Sequence, residues 1–169
     1  MITTLLQPIA RAWGLLTRTL DNAQPLAALL ARAYVAEGFF LSGLTKVRDW
    51  DTTLALFQDE YHVPLLPPDI AAVMGTTGEL VLPVLLLLGL GGRFAALGLS
   101  VVNIVAVLSL ADIAPAALQQ HVTWGVLLAA LALFGPLGWS LDHLWLRPWL
   151  QRRCLLAIGD RKLDGALSS

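Results

Sequence analysis

Four apolar stretches, Leu26–Lys46, Ile70–Leu90, Phe94–Ala111 and Val122–Leu141, constrain this chain more than anything else in it. Each is close to the ~20 residues a helix needs to cross the hydrocarbon core of a bilayer. In lipid a backbone must satisfy its own hydrogen bonds, so the stretches predict helices. Composition agrees: 57% of the 169 residues are hydrophobic and 14% charged, where a soluble domain carries ~25% charged. The expected fold is an all-α membrane protein, a four-transmembrane-helix bundle in contact with the lipid bilayer. A net charge of -1 gives nucleic acid no electrostatic hold. A lone Cys154 cannot close a disulfide within the chain, which argues against a paired-thiol mechanism. No basic cluster precedes the first apolar run near Leu26, so a cleavable signal peptide is not expected.

The connections are short. Gly89-Leu90-Gly91-Gly92-Arg93 makes spans two and three antiparallel neighbours, and Ala114-Pro115-Ala116-Ala117 joins spans three and four. Asp69, after Pro67-Pro68, is a candidate N-cap for span two. Between spans one and two, Leu54, Phe57 and Tyr61 line one side of a short helix begun at Asp51, placed to lie over the bundle mouth. Val63–Pro68 then turns the chain into span two. Ahead of span one, Ile2, Leu5, Ile9, Trp13, Leu16 and Leu20 recur at helical spacing, which predicts an N-terminal amphipathic interfacial helix. Three segments follow: 1–22 at the interface, 23–146 in the membrane, and a basic tail over 147–169. Arg11, Arg18, Arg93, Arg147, Arg152, Arg153, Arg161 and Lys162 fall on one side and outweigh Lys46 and Arg48 on the other. The positive-inside rule then puts both termini of this multi-pass protein in the cytoplasm. Trp139, Trp145 and Trp149 read as an aromatic belt at that boundary.

Ionisable residues inside the spans point to the site. A charge in hydrocarbon costs at least ~2.5–3.5 kcal/mol, so it needs a partner or a task. Span one carries Arg32, Glu37 and Lys46, and span two carries Glu79. Counting from the span midpoints puts Glu37, Glu79 and Asn103 at one depth, within ~2 Å of the midplane. Arg32 and Glu37 are five residues apart and do not face each other, so each needs a partner on another helix. Glu79 is the candidate for Arg32 or Lys46. Ala71, Gly75 and Glu79 make a stripe of small residues leading to the carboxylate. Pro83 frees the Glu79 carbonyl, and Pro136 does the same for Ala132 in span four. His121, expected to begin span four at the outer face, shares a side with Trp124. The pair reads as an interfacial polar contact or as a quinone or metal contact. With His62 in a loop, His143 near the inner boundary and one cysteine, no metal site takes shape. The cluster as a whole is either a network holding the bundle in register or a ligand or proton site.

Arg32 to Phe40 followed by Ser42-Gly43-Leu44-Thr45-Lys46 resembles the first-helix signature of DoxX-type membrane proteins. Glu79-Leu80 leading to Gly89-Leu90 and Gly92-Arg93-Phe94-Ala95-Ala96 resembles their second, and Gly135–Gly138 with Ser140-Leu141-Asp142 their glycine-rich ending. The likeness runs from about Ala31 to Asp142. It implies a small four-helix protein of the bacterial cytoplasmic (inner) membrane, tied to redox work. Some members of that family accompany quinone-linked sulfur oxidoreductases and others oxidative-stress enzymes. The loop Asp59–Pro68 is similar to a subgroup found with genes for small modified, metal-binding peptides.

Three functions are compatible with these residues. One is an accessory of a redox or maturation system that binds a quinone, with Glu37 or Glu79 handling the proton and Arg32 or Lys46 holding an anionic form. Another is a non-catalytic anchor or assembly factor recruiting a soluble partner through the N-terminal helix and basic tail. The weakest is a small transporter, since no inverted repeat is visible. The small-residue stripes also fit a homo-oligomer.

Overall fold

The structure, a computed structural model, describes residues 2–135 and 139–142, with side chains from residue 11 onward. Among the described residues five helices follow one another: α1 Ile2–Arg48, α2 Trp50–Asp59, α3 Pro68–Leu88, α4 Gly92–Ser109 and α5 Pro115–Phe134. All but α2 are long and apolar enough to cross a membrane, so the expected four-span, all-α architecture is present. α1 packs on α3, α3 on α4 and α4 on α5, and α5 closes back on α1. The core is apolar and small-featured: Val35, Phe39, Leu86, Ala95, Ala96, Leu99 and Leu128 pack where the four helices meet. Pro136, His143, Trp145, Trp149, Cys154 and the tail 147–169 lie outside the described residues.

Three boundaries differ from the sequence expectation, each for a local reason. α1 is a single helix of 47 residues, so the N-terminal segment is helical and runs without a break into span one. Pro25 within this helix lacks only the N–H that would bond the Asp21 carbonyl, and Asp21 is exposed, so water can serve that carbonyl. Among the described side chains the first buried one is Ala28, so nearly everything from Arg11 to Ala27 extends beyond the other described helices rather than packing on them. α5 starts at Pro115, seven residues ahead of the expected Val122, because proline suits the first turn and Gln119-Gln120 hides a helical segment from hydropathy. Asp69 is not the cap of α3. Pro67 occupies that position, Pro68 opens the helix, and Asp69 accepts from Gln58 at 3.3 Å.

α2 closes one end of the bundle. Asp49 caps it, accepting from the Thr52 hydroxyl at 2.7 Å and the Thr52 N–H at 3.1 Å. Thr53 donates to the Lys46 and Asp49 carbonyls, which ties α2 to the end of α1. Phe57 is buried against Ala71 and Ala72 of α3, with Tyr61 edge-on to it at 5.0 Å. The bonds from Thr52 hold the Asp49 carboxyl below the ordinary aspartate range. A depressed value means the ionised cap supports α2, and that support is lost as pH falls through the depressed value, below the usual 3.8. Amide exchange in α2, normalised to α4, is therefore expected to accelerate only in strong acid, and in Asp49→Ala already at neutral pH. Equal neutral exchange in wild type and variant would remove the cap from this account.

Candidate functional site

At the α2 end the helices leave a cavity of about 300 Å³. Its polar wall is built from Ser42, Lys46, Tyr61, Glu79, Ser109 and His121, and its apolar wall includes Phe57, Met74, Val101 and Val105. Met74 of α3 is 57% exposed and Val101 of α4 60% exposed, so the cavity reaches the outer face of the bundle between these two helices. A pocket of this size, mostly apolar with a few convergent polar groups, is the common form of a small-molecule site.

Lys46 settles which cation Glu79 meets. Its ammonium lies 2.5 Å from the Glu79 carboxylate and donates to the Ser42 hydroxyl at 2.9 Å. The two side chains are 18% and 11% exposed, so the pair is largely withdrawn from its surroundings. An ammonium has three N–H donors, and the third remains for an acceptor in the cavity. The close approach follows from sequence: Gly43 lets Glu79 and Leu80 lie against α1, where an added Cβ would come within 2.9 Å of Leu80.

His121 and Asn103 form a second pair. The Asn103 amide donates to the His121 carbonyl at 2.9 Å, which turns its oxygen toward the imidazole, 2.7 Å from Nδ1. An oxygen there requires a proton on Nδ1, which in the neutral ring leaves Nε2 as an acceptor. Trp124 does not line the cavity. It stands behind His121, with ring centres 5.3 Å apart and perpendicular, and packs on Phe39 at 4.9 Å. Tyr61 hangs over the cavity from the α2 end, and burial, with the Glu60 and Glu79 charges behind it, raises its hydroxyl above the ordinary tyrosine range. It is thus a hydroxyl donor at any physiological pH.

Of the residues singled out in the sequence, Lys46, Glu79 and His121 come together on the cavity, with Asn103 and Trp124 supporting His121. Glu37 does not join them. It is exposed on the outer face of α1, and Glu79 is level with Gly43, six residues and about 9 Å further along the helix. Midpoint counting assumes upright helices and says nothing about which face a residue takes.

Arg32 does not reach Glu79 either. It is 1% exposed at the opposite end of the bundle, where Nε donates to the Ala28 carbonyl at 3.3 Å and Nη2 to the Trp139 carbonyl at 2.6 Å. Gly89, in the left-handed region at φ 67°, passes so close that an added Cβ would sit 2.7 Å from Nη1. Asp142 completes this end, accepting from the Gly92 N–H at 3.2 Å and donating its own N–H to the Gly89 carbonyl at 3.3 Å. Arg32 is therefore a fastening between α1, the α3–α4 turn and residues 139–142. Ser42, Ser109 and the wall position of Tyr61 escape the sequence reading. Ser42 alone had a signal, lying four residues before Lys46 on one helix face. Among the described residues no group of three or more His, Cys, Asp or Glu side chains gathers to hold a metal ion.

No curated protein and no solved structure matches the chain. The DoxX family model matches residues 27–112, a stretch that contains Arg32, Lys46, Glu79 and Asn103 and ends before α5. That match covers just over half of the 169 residues, and the chain belongs to the DoxX family of membrane proteins.

Proposed function

We propose that this protein is a membrane accessory of a redox or maturation system, and that its cavity holds the ring of a quinone or a similar lipid-soluble carrier. The observation behind this reading is a cavity with a wall of hydrogen-bonding groups and a rim in the lipid-facing surface between α3 and α4. A carrier that lives in the hydrocarbon enters by such a rim without crossing water. A bound quinone supplies two-electron, two-proton chemistry. The free Lys46 N–H and the Tyr61 hydroxyl would donate to the carbonyl oxygens of the oxidised ring, and His121 Nε2 would accept from a hydroxyl of the reduced ring. Glu79, beside Lys46, is the group placed to exchange the accompanying proton. The weight of Arg11, Arg18 and Arg93 on the other side supports a reading with the cavity in the outer half of the membrane.

Quinone extracted from native lipid nanodiscs should be enriched over empty discs for the wild type. Glu79→Gln removes the charge that holds the Lys46 ammonium at the cavity. Losing a hydrogen bond to a charged group costs ~1.5–3 kcal/mol, so retention in Glu79→Gln should fall about tenfold or more, with a smaller fall in His121→Phe. Enrichment absent from the wild type overturns the proposal and leaves the anchor reading in its place. Equal enrichment in all three proteins puts the carrier elsewhere.

A further inference from the structure

The outward face of α1 carries a second pattern that the cavity does not use. Starting at Trp13, outward residues recur at alternating intervals of three and four: Leu16 and Leu20, then Ala23 and Ala27, then Leu30, Tyr34, Glu37 and Leu41. All are exposed, with Trp13 at 66% and Leu30 at 61%. In sequence the same repeat continues back through Ile9, Leu6 and Ile2. A 3-4 alternation sustained over this many turns is the seam of a coiled coil. The position opposite the seam holds Arg11 and Arg18 in the projecting half and Arg32, Phe39 and Lys46 where α1 meets the bundle. The seam thus points directly away from the other helices.

No single solvent explains it. α1 is about 70 Å long at 1.5 Å per residue, and the hydrocarbon core spans only ~30 Å. Water would cover the projecting half badly, where Trp13, Leu16 and Leu20 are bare. Lipid would cover the bundle half badly, because Glu37 sits in it. Gly38 next door packs on Trp124, the tenth residue of the 20-residue α5, which places Glu37 deep in the apolar layer. A cover must match the repeat on both sides of the membrane boundary and bring a hydrogen-bonding group to Glu37. A second α1 does both. Its seam is self-complementary, since Tyr34 offers a hydroxyl donor one turn from the Glu37 carboxyl. The flanking positions Ala12, Thr17, Thr19 and Gln24 carry no charge to repel a copy.

We propose that α1 pairs with α1 of a second copy of this chain as a parallel two-stranded coiled coil, and that Glu37 fixes its register as a polar seam residue does. The test is oxidative cross-linking in lipid nanodiscs, in a Cys154→Ser background, with single cysteines at Leu16→Cys, Leu20→Cys and Leu30→Cys. Arg18→Cys, opposite the seam, and Leu97→Cys, lipid-facing on α4, are controls. Disulfide dimers should form severalfold more at the three seam positions, and Glu37→Gln should keep that pattern. Glu37→Leu should keep the dimer but spread cross-linking onto Leu29→Cys and Ala31→Cys. Equal yields at seam and control positions overturn the pairing, whether lipid or another protein then covers the face. A pattern as sharp in Glu37→Leu as in the wild type overturns the register role.

Discussion

Lys46→Met should lower the unfolding midpoint of the protein in nanodiscs by about 10 °C. Taking one partner out of a buried ion pair leaves an uncompensated charge, at a cost of ~3–5 kcal/mol. For a chain of this size each kcal/mol moves the midpoint by ~2–4 °C. Here Glu79 would keep its place against Gly43 with no cation in reach, since Arg32 is committed to the other end of the bundle. Adding Glu79→Leu to Lys46→Met should recover most of the loss, because a well-packed apolar pair often matches or exceeds a buried ion pair. That double variant separates two roles of the pair. A stable double variant that no longer retains quinone assigns the pair to the ligand. A double variant as unstable as Lys46→Met would show that both charges are needed to hold the helices in register.

Gly89→Ala should be nearly as damaging, and at the other end of the molecule. Glycine is required there twice over. Its φ of 67° is left-handed, which costs any residue with a Cβ ~1–2 kcal/mol. The new methyl would also lie 2.5 Å from the Ser140 Cβ and 3.0 Å from its Cα, an overlap that adds ~1–3 kcal/mol. Gly91→Ala is the matched comparison. Its φ is 54°, but the nearest atom to its Cβ is 3.9 Å away, so it pays the backbone term alone. Thermal unfolding should rank wild type, then Gly91→Ala, then Gly89→Ala. Equal midpoints for the two variants would mean that residues 139–142 yield freely, and Arg32 would lose its standing as a fastening.

The fold was legible because span length and hydropathy are strong, additive signals. α3 and α4 lie within about two residues of their expected limits. The misreadings came where polarity and structure part company. By hydropathy the interface segment 1–22 and the span that follows read as separate stretches, yet one helix runs through Asp21, Asn22 and Pro25. Gln119-Gln120 lowers hydropathy without lowering helix propensity, which hid the first turns of α5. For the site, the sequence supplied the right residue types but not their neighbours. Glu37 and Glu79 are both carboxylates in apolar runs, and only the packing of Gly43 and Gly38 decides which of them faces inward. The Asn103–His121 pair is likewise invisible in a chain where they stand 18 residues apart on separate helices.

The rim formed by Met74 and Val101 determines how occupancy of the cavity has to be counted. On the proposed reading, a carrier entering by a mouth that opens sideways into hydrocarbon is counted per lipid molecule, not per litre of water. Doubling the lipid at fixed carrier should therefore halve the local supply, and doubling the aqueous volume should change nothing. Acyl chains are the standing competitors for the apolar wall, present at all times and in large excess. If the cavity holds the proposed carrier, its selectivity has to come from the few groups a lipid tail cannot satisfy, Lys46, Glu79, Tyr61 and His121, and ring substituents should govern binding while the length of the carrier's tail scarcely matters.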